Sequence, residues 1–261
     1  MTDRPSSPTV AQLREVTQPP SVTGRSTSEH WVADVYLRRL SPYLTRVLLR
    51  TPITANGVTW LMILTGASAG AALLVPGLPG AFLAVLLGQL QMLWDCCDGE
   101  VARWRQTFSP AGTFLDKVGH YVAESVIPIC LGLRAQDGSP AGWAWAGALL
   151  AAAVLLNKAL NDMVHVARAV AGRPLLQDVE GAGRPQRRGL ARLRSAARFL
   201  PLHRVFHSVE LTLLAAVAAV GDVAVGGVDA TRALLLVLVI AAPVVVAGHV
   251  AAILSSSKLR S

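Results

Sequence analysis

Asp95, Asp98, Asp116 and His120 fall within one stretch, "WDCCDGEVARWRQTFSPAGTFLDKVGHY", of an otherwise oily chain. Asp95, Asp98 and Ala102 are spaced i, i+3 and i+7, so in a helix they share one face. Gly112, Asp116 and His120, at i, i+4 and i+8, do the same. Ser109 and Pro110 between them form a helix-start signal, which predicts two helices meeting as an antiparallel hairpin. Three carboxylates brought this close repel one another unless a cation sits among them. Oxygen ligands favour Mg²⁺, Mn²⁺ or Ca²⁺ over zinc. Mg²⁺ typically takes one or two carboxylates together with substrate phosphates. The cluster therefore points to a divalent cation and a phosphate-bearing substrate. Gly99, beside Asp98, bares the backbone for a ligand or a neighbouring helix. The plain alternative is structural pairing, Asp98 with Arg103 or Asp116 with Lys117. A zinc site built from Asp95, Cys96, Cys97 and His120 is poor, because the two cysteines leave the Asp95–Asp98 face.

The elements that must hold these groups are membrane helices. Of the 261 residues, 52% are hydrophobic and only 15% charged, whereas a soluble domain carries about a quarter charged residues. Apolar runs cover Gly57–Val75, Gly80–Leu93, Val118–Leu133, Ala141–Leu156, Val209–Val225 and Ala233–Leu254. A spanning helix needs ~20 residues, so several runs must annex polar flanks. The expectation is an all-α integral membrane protein with six transmembrane helices over residues 52–257. Before them, Trp31, Val35, Tyr36, Leu40, Tyr43, Leu44, Val47 and Leu48 recur at helical spacing among Arg38, Arg39, Arg46 and Arg50. That predicts a basic amphipathic helix over 29–51 lying in the interface. Pro42 is expected to interrupt it, with Ser41 capping a second segment. Residues 1–28, rich in Pro, Ser, Thr and Arg, have no apolar h-region and are expected to form a disordered cytoplasmic tail.

A net charge of +8 could suggest nucleic acid, but its distribution argues against that partner. Arginines before the first span, Arg103 and Arg105 after the second, Arg168 to Arg204, and Lys258 and Arg260 all fall on one side of a six-span plan. The other side holds Arg134 and Arg232 beside Asp137, Asp222 and Asp229. This positive-inside asymmetry puts both termini and the acidic cluster in the cytoplasm, with the chain in the cell membrane. The loop "GRPQRRGLARLRSAARFLPLHR" is either a second helix resting on anionic headgroups or a basic linker. Cys96, Cys97 and Cys130 lack a CxxC spacing and read as packing residues.

Asp95-x2-Asp98-Gly99-x2-Ala102-Arg103-x8-Gly112-x3-Asp116-x3-His120 resembles the signature of the CDP-alcohol phosphotransferases, D-x2-D-G-x2-A-R-x8-G-x3-D-x3-D. Every fixed position matches except the last, where the family has Asp and this chain has His120. Ala55-Asn56-Gly57-Val58-Thr59 resembles the family's P-N-x-x-T, with alanine in place of proline. The resemblance implies a fold and a reaction. The fold is six helices preceded by an interfacial one, usually as a homodimer. In the reaction an alcohol attacks the diphosphate of a CDP-alcohol and CMP leaves. On that pattern Asp95, Asp98 and Asp116 hold two divalent cations, Mg²⁺ or Mn²⁺. Gly99, Ala102, Arg103 and Gly112, with Asn56 and Thr59, line the cytidine-diphosphate pocket. The family's last Asp serves as base and helps ligate metal. His120 is a competent base at neutral pH, with an unperturbed pKa of ~6.5, and also a softer metal ligand.

The expected donor is CDP-diacylglycerol and the acceptor a small polar alcohol or its phosphate, in phospholipid synthesis among membrane lipids. A soluble CDP-alcohol donor with a lipid or glycan acceptor is the variant within the class. An aspartate–Mg²⁺ membrane prenyltransferase lacks a second aspartate-rich repeat, since Asp162 has no D-x2-D partner. An ion-coupled transporter would call for broken helices near the midplane. Two further polar stripes either reach the acceptor or pair among themselves. One is Lys158, Asp162 and His165 with Asn157 and Asn161; the other is His203, His207 and Glu210 beside Arg204.

Overall fold

The structure is a computed structural model that describes residues 4–5, 7–19, 32–140, 142–173, 205–256 and 259. Among them it is all-helical. A short helix α1 (Val10–Thr17) is followed by α2 (Arg38–Leu48), which is entered through a π-helical stretch, Ala33–Leu37. Then come α3 (Ala55–Ala72), α4 (Gly77–Arg105), α5 (Pro110–Gln136), α6 (Trp143–Val170), α7 (Ser208–Val225) and α8 (Asp229–Ser255). Residues 174–204, which include His203 and Arg204, and Trp31, Lys258 and Arg260 lie outside the described residues.

Four helices, α4, α6, α7 and α8, are long and apolar enough to cross a membrane. The remaining two of the expected six differ for visible reasons. Helix α3 is diluted by Asn56, Thr59, Thr65, Ser68 and glycines, and α5 carries Asp116, Lys117, His120, Glu124 and Arg134. Both are nevertheless packed in the same bundle, α3 against α4 and α5, and α5 against α6. The core runs through Leu73, Ala84, Ile127, Leu131, Leu150, Leu211 and Leu235. Leu64, Leu86, Leu149, Val217, Val237, Ile240 and Val244 instead point outward and are exposed. A bundle whose outer surface is this apolar is built for lipid, and the chain is a multi-pass membrane protein.

Glycines set two of the crossings. A Cβ on Gly70 would lie 2.7 Å from Val126 Cγ1 and 2.9 Å from its carbonyl carbon, and one on Gly66 would lie 2.8 Å from Ala123 Cβ. This small-x3-small pair lets α3 approach α5 at backbone distance. Gly132 and Gly147 do the same for α5 and α6, each occupying the space where the other's Cβ would stand.

Two features of the N-terminal region differ from expectation. Within the tail expected to be disordered, Val10–Thr17 is helical, with Thr9 and Gln12 forming a reciprocal cap. Leu13 is fully buried in a cluster with Leu48, Leu49, Val58, Cys97, Val101 and Trp104. One well-placed leucine and a capping box outweigh the polar composition around them. The second difference is that α2 runs through Pro42 and Ser41 caps nothing. A proline withdraws the N–H that would bond the carbonyl four residues back, here that of Arg38. That carbonyl instead accepts Gln18 Nε2 at 2.6 Å. Ser41 and Thr45 face inward and donate to Glu100 on α4, at 2.5 and 2.6 Å. Leu40, Tyr43 and Val47 face outward and are exposed. Helix α2 therefore buries Ser41 and Thr45 alongside Pro42 and Leu48, and turns Leu40, Tyr43 and Val47 to the surroundings.

Candidate active site

Three helix ends build the site, and each is fixed by its own capping chemistry. Helix α3 starts at Thr54, whose hydroxyl accepts Gly57 N–H at 3.1 Å. Asn56 and Thr59 therefore sit in its first turns. Helix α4 ends at Gln106 in the left-handed conformation (φ 57°), with Thr107 N–H bonded to Ala102 O at 3.0 Å. Helix α5 begins after Ser109, whose hydroxyl accepts Gly112 N–H at 3.0 Å, with Pro110 in the first turn. The expected turn between the two helices is thus present, but α4 and α5 do not pack along each other as an antiparallel hairpin: α3 packs against both, and α4 and α5 meet at the acidic cluster.

That meeting brings His120 against two of the three aspartates. His120 Nε2 lies 3.0 Å from Asp95 Oδ1 and 3.7 Å from Asp116 Oδ1. One ligand-capable atom from each of Asp95, Asp116 and His120 lies within 4.8 Å of the other two. Asp98 stands apart from that trio. Its Oδ2 accepts the Thr59 hydroxyl at 2.8 Å, which ties α4 to α3, and the residue is 9% exposed. Lys117 pairs with Asp162 of α6 at 3.0 Å rather than with Asp116. Two carboxylates and an imidazole at these spacings form a donor set that fits a divalent cation. The trio is half-buried rather than sealed, so a ligand from outside the bundle can approach it.

The pocket residues expected from the signature meet in pairs: Asn56 with Gly112, Thr59 with Asp98 and Arg103 with Gly99. A Cβ on Gly112 would lie 3.0 Å from Asn56 Oδ1, so α3 and α5 touch there. A Cβ on Gly99 would lie 3.0 Å from both terminal nitrogens of Arg103, whose guanidinium folds back over that bare backbone. Ala102 adds only a methyl group on the Asp95–Asp98 face. Cys97 is buried in the α1–α2–α4 cluster, where its thiol lies 3.7 Å from Ser41 O. That is a packing role.

One turn along α5 from His120 lies a group outside the signature. Glu124, 3% exposed, accepts both Lys158 Nζ at 3.0 Å and His207 Nδ1 at 3.2 Å on one oxygen. Tyr121 donates to Asp162 at 3.0 Å, and His249 Nδ1 lies 2.9 Å from Asn157 Oδ1. The polar stripe on α6 is thus largely paired with neighbouring helices. Glu124 shares the helical repeat of Asp116 and His120, at i+8 and i+4 from them, and that is the signal that could have found it. Glu100 was missed for a different reason: its partners Gln18, Ser41 and Thr45 are remote in sequence, and nothing local marks it.

At the far end of the bundle, the two arginines expected outside the membrane close helix ends. Arg134 donates to Leu73 O, Val75 O and Gly77 O, and Arg232 donates to Ala135 O at 3.0 Å. Asp222 accepts the backbone and side chain of Thr231 across the α7–α8 turn.

Comparison with curated proteins gives no match. The sequence profile described as CDP-alcohol phosphatidyltransferase matches residues 52–254, a region that contains α3 to α7 and nearly all of α8. The family consists of transferases of substituted phosphate groups that generally use a divalent metal. With this profile spanning most of its length, the chain belongs to the CDP-alcohol phosphatidyltransferase family.

Proposed function

We propose that the protein transfers a phosphatidyl group from CDP-diacylglycerol to a small polar alcohol or its phosphate, releasing CMP. The observation that carries this reading is the gathering of Asp95, Asp116 and His120 within 4.8 Å at the meeting of α4 and α5, which bear the signature residues. Asp95, Asp98 and Asp116 are the residues that would hold two divalent cations, Mg²⁺ or Mn²⁺. When bound, such cations neutralise charge on phosphoryl oxygens and favour in-line displacement. Arg103 supplies a planar guanidinium matched to diphosphate oxygens. Asn56, Thr59, Gly99, Ala102 and Gly112 shape the pocket, the two glycines by leaving room for the donor.

His120 takes the proton of the acceptor hydroxyl. The freed oxygen forms its bond to the phosphorus bearing the diacylglycerol, and the bond from that phosphorus to the CMP oxygen breaks. The contact of His120 with Asp95 fixes the direction of the imidazole, as a carboxylate partner does for a catalytic histidine. Helices α3 to α8 supply six crossings, with the α4–α5 turn, both termini and the arginine-rich segments on the cytoplasmic side. Helix α2 lies along that interface, its Leu40, Tyr43 and Val47 in the headgroup region. The protein works as a homodimer in the cell membrane.

The test is an acceptor screen. Protein in detergent is given labelled CDP-diacylglycerol, Mg²⁺ or Mn²⁺, and glycerol phosphate, inositol phosphate, serine or phosphatidylglycerol in turn. CMP release that needs both metal and one acceptor, with a new labelled lipid, is the expected result. No CMP release with any acceptor overturns the reading.

A further inference from the structure

We propose that the N-terminal segment, through its described residues 4–5 and 7–18, is a strap that positions Arg103 for the diphosphate of the donor, so that the donor pocket is finished by chain outside the family-matched region. The proposal rests on the donor pocket read above.

The segment is seated against the end of α4 that carries the signature. Thr17 O accepts Arg103 Nε at 2.6 Å. Arg4 Nη1 donates to the carbonyls of Arg103 and Trp104, at 2.6 and 2.8 Å, and its guanidinium lies 5.5 Å from the centre of the Trp104 ring. Trp104 Nε1 donates back to Pro5 O at 3.3 Å. Leu13 is fully buried among Leu48, Val58, Cys97, Val101 and Trp104. Gln18 ends the strap by donating to Glu100 Oε1 at 2.8 Å, inside the buried α2–α4 contact.

Those contacts constrain one functional group. Arginine has five N–H donors in a rigid fork. Thr17 engages the inner one, Nε, and among the described residues the two terminal nitrogens carry no hydrogen bond. Both lie 3.0 Å from where a Cβ on Gly99 would be, over backbone that only glycine leaves bare. A guanidinium held by Nε has lost most of its rotamer freedom before a ligand arrives. Its terminal nitrogens remain available for paired bonds to phosphate oxygens. A carbonyl on Nε thus orients the fork without competing for the anion. Residues 4–18 precede the matched region 52–254, so the family pattern does not supply this contact.

The test uses the full-length protein in detergent with two readouts, CDP titration by calorimetry in the presence of Mn²⁺ and steady-state CMP release. Leu13→Asp, which unseats the strap, is expected to weaken CDP binding and raise the donor KM about tenfold, the size of one charge-assisted hydrogen bond. The kcat and the acceptor KM stay within twofold. In an Arg103→Ala background, Leu13→Asp adds nothing further, because the strap acts through that guanidinium. Arg4→Gln, which removes one tether and leaves Leu13 seated, gives a smaller shift in the same direction. A strap variant with wild-type CDP affinity and donor KM overturns the proposal while CMP release by the wild type preserves the proposed reaction. Additive losses in the Arg103→Ala background, or tighter CDP binding on unseating, overturn it too. A wild type that neither binds CDP nor releases CMP overturns both.

Discussion

Glu100 provides a stability prediction that does not depend on the reaction. It is 1% exposed and accepts Gln18 Nε2 at 2.8 Å, Ser41 Oγ at 2.5 Å and Thr45 Oγ1 at 2.6 Å. Glu100→Ala removes the acceptor from all three. At about 1.5–3 kcal/mol for each bond to a charged group, the upper sum is roughly 5–9 kcal/mol. Two circumstances reduce it. Ser41 and Thr45 can turn to carbonyls of their own helix, and Gln18 keeps its bond to Arg38 O. The expected loss is therefore about 3–5 kcal/mol, less than the sum because the three bonds share one acceptor group. At ~2–4 °C per kcal/mol for a chain of this size, Tm falls by roughly 6–20 °C. Glu100→Gln keeps the shape and one strong acceptor and should lose only about 1 kcal/mol. Thermal unfolding in detergent, followed by tryptophan fluorescence, reads both variants, with exposed Glu15→Ala as a control expected to match the wild type. A Glu100→Ala protein melting within 2 °C of the wild type (about 1 kcal/mol or less) would refute the reasoning.

The site gives three more expectations. Asp95→Asn, Asp98→Asn and Asp116→Asn should each abolish metal-dependent CMP release, since a neutral amide is a far poorer ligand for a hard cation; near wild-type release by a variant that still inserts and purifies would remove that residue from the metal set. His120→Ala should lower the rate by ~10²–10⁴-fold, the usual share of a general base. His120→Asp should restore much of it and carry activity to lower pH, because a carboxyl's reference pKa of ~3.9 lies below imidazole's ~6.5. An unchanged rate and pH profile in His120→Ala would make the imidazole a bystander. Single cysteines at Thr107 and Arg173 should label from the cytoplasmic side, and at Asp137 and Asp229 from the opposite side; the reverse pattern would take the α4–α5 turn away from cytosolic nucleotides.

What was legible in the sequence depended on how local the interactions are. The turn from α4 to α5 was readable because Ser109-Pro110 is a cap that works through its nearest neighbours, and helical spacing puts Asp116 beside His120. The choice His120 makes between its neighbours was not readable. Contact with Asp95 at 3.0 Å, while Asp98 goes to Thr59, depends on how α3, α4 and α5 rotate against one another. Those rotations are set by glycine contacts such as Gly66 with Ala123, which no composition reveals. The N-terminal segment misled for the same reason. Its local composition is that of an unfolded tail, and its partners Arg103 and Trp104 lie 86 to 100 positions away. On α2 the expected apolar stripe is divided: Leu40, Tyr43 and Val47 are exposed while Leu48 is buried with Ser41 and Thr45, which Glu100 faces.

The seat of the strap also sets an order of assembly. Residues 4–18 leave the ribosome before the end of α4 exists. At ~5–20 residues per second, the roughly 86 intervening residues take about 4–17 s to synthesise. For that interval Leu13 has no Trp104 or Val101 to cover it, and it must wait on the face where the α4–α5 turn will emerge. A nascent chain that inserts α3 and α4 as a pair returns that turn to the side where the strap is waiting. One that inserts them out of register strands the strap across the bilayer from its seat. On the proposed plan of six crossings, docking of residues 4–18 would therefore report on topology, because only a chain that threads α3 and α4 as a pair could close it.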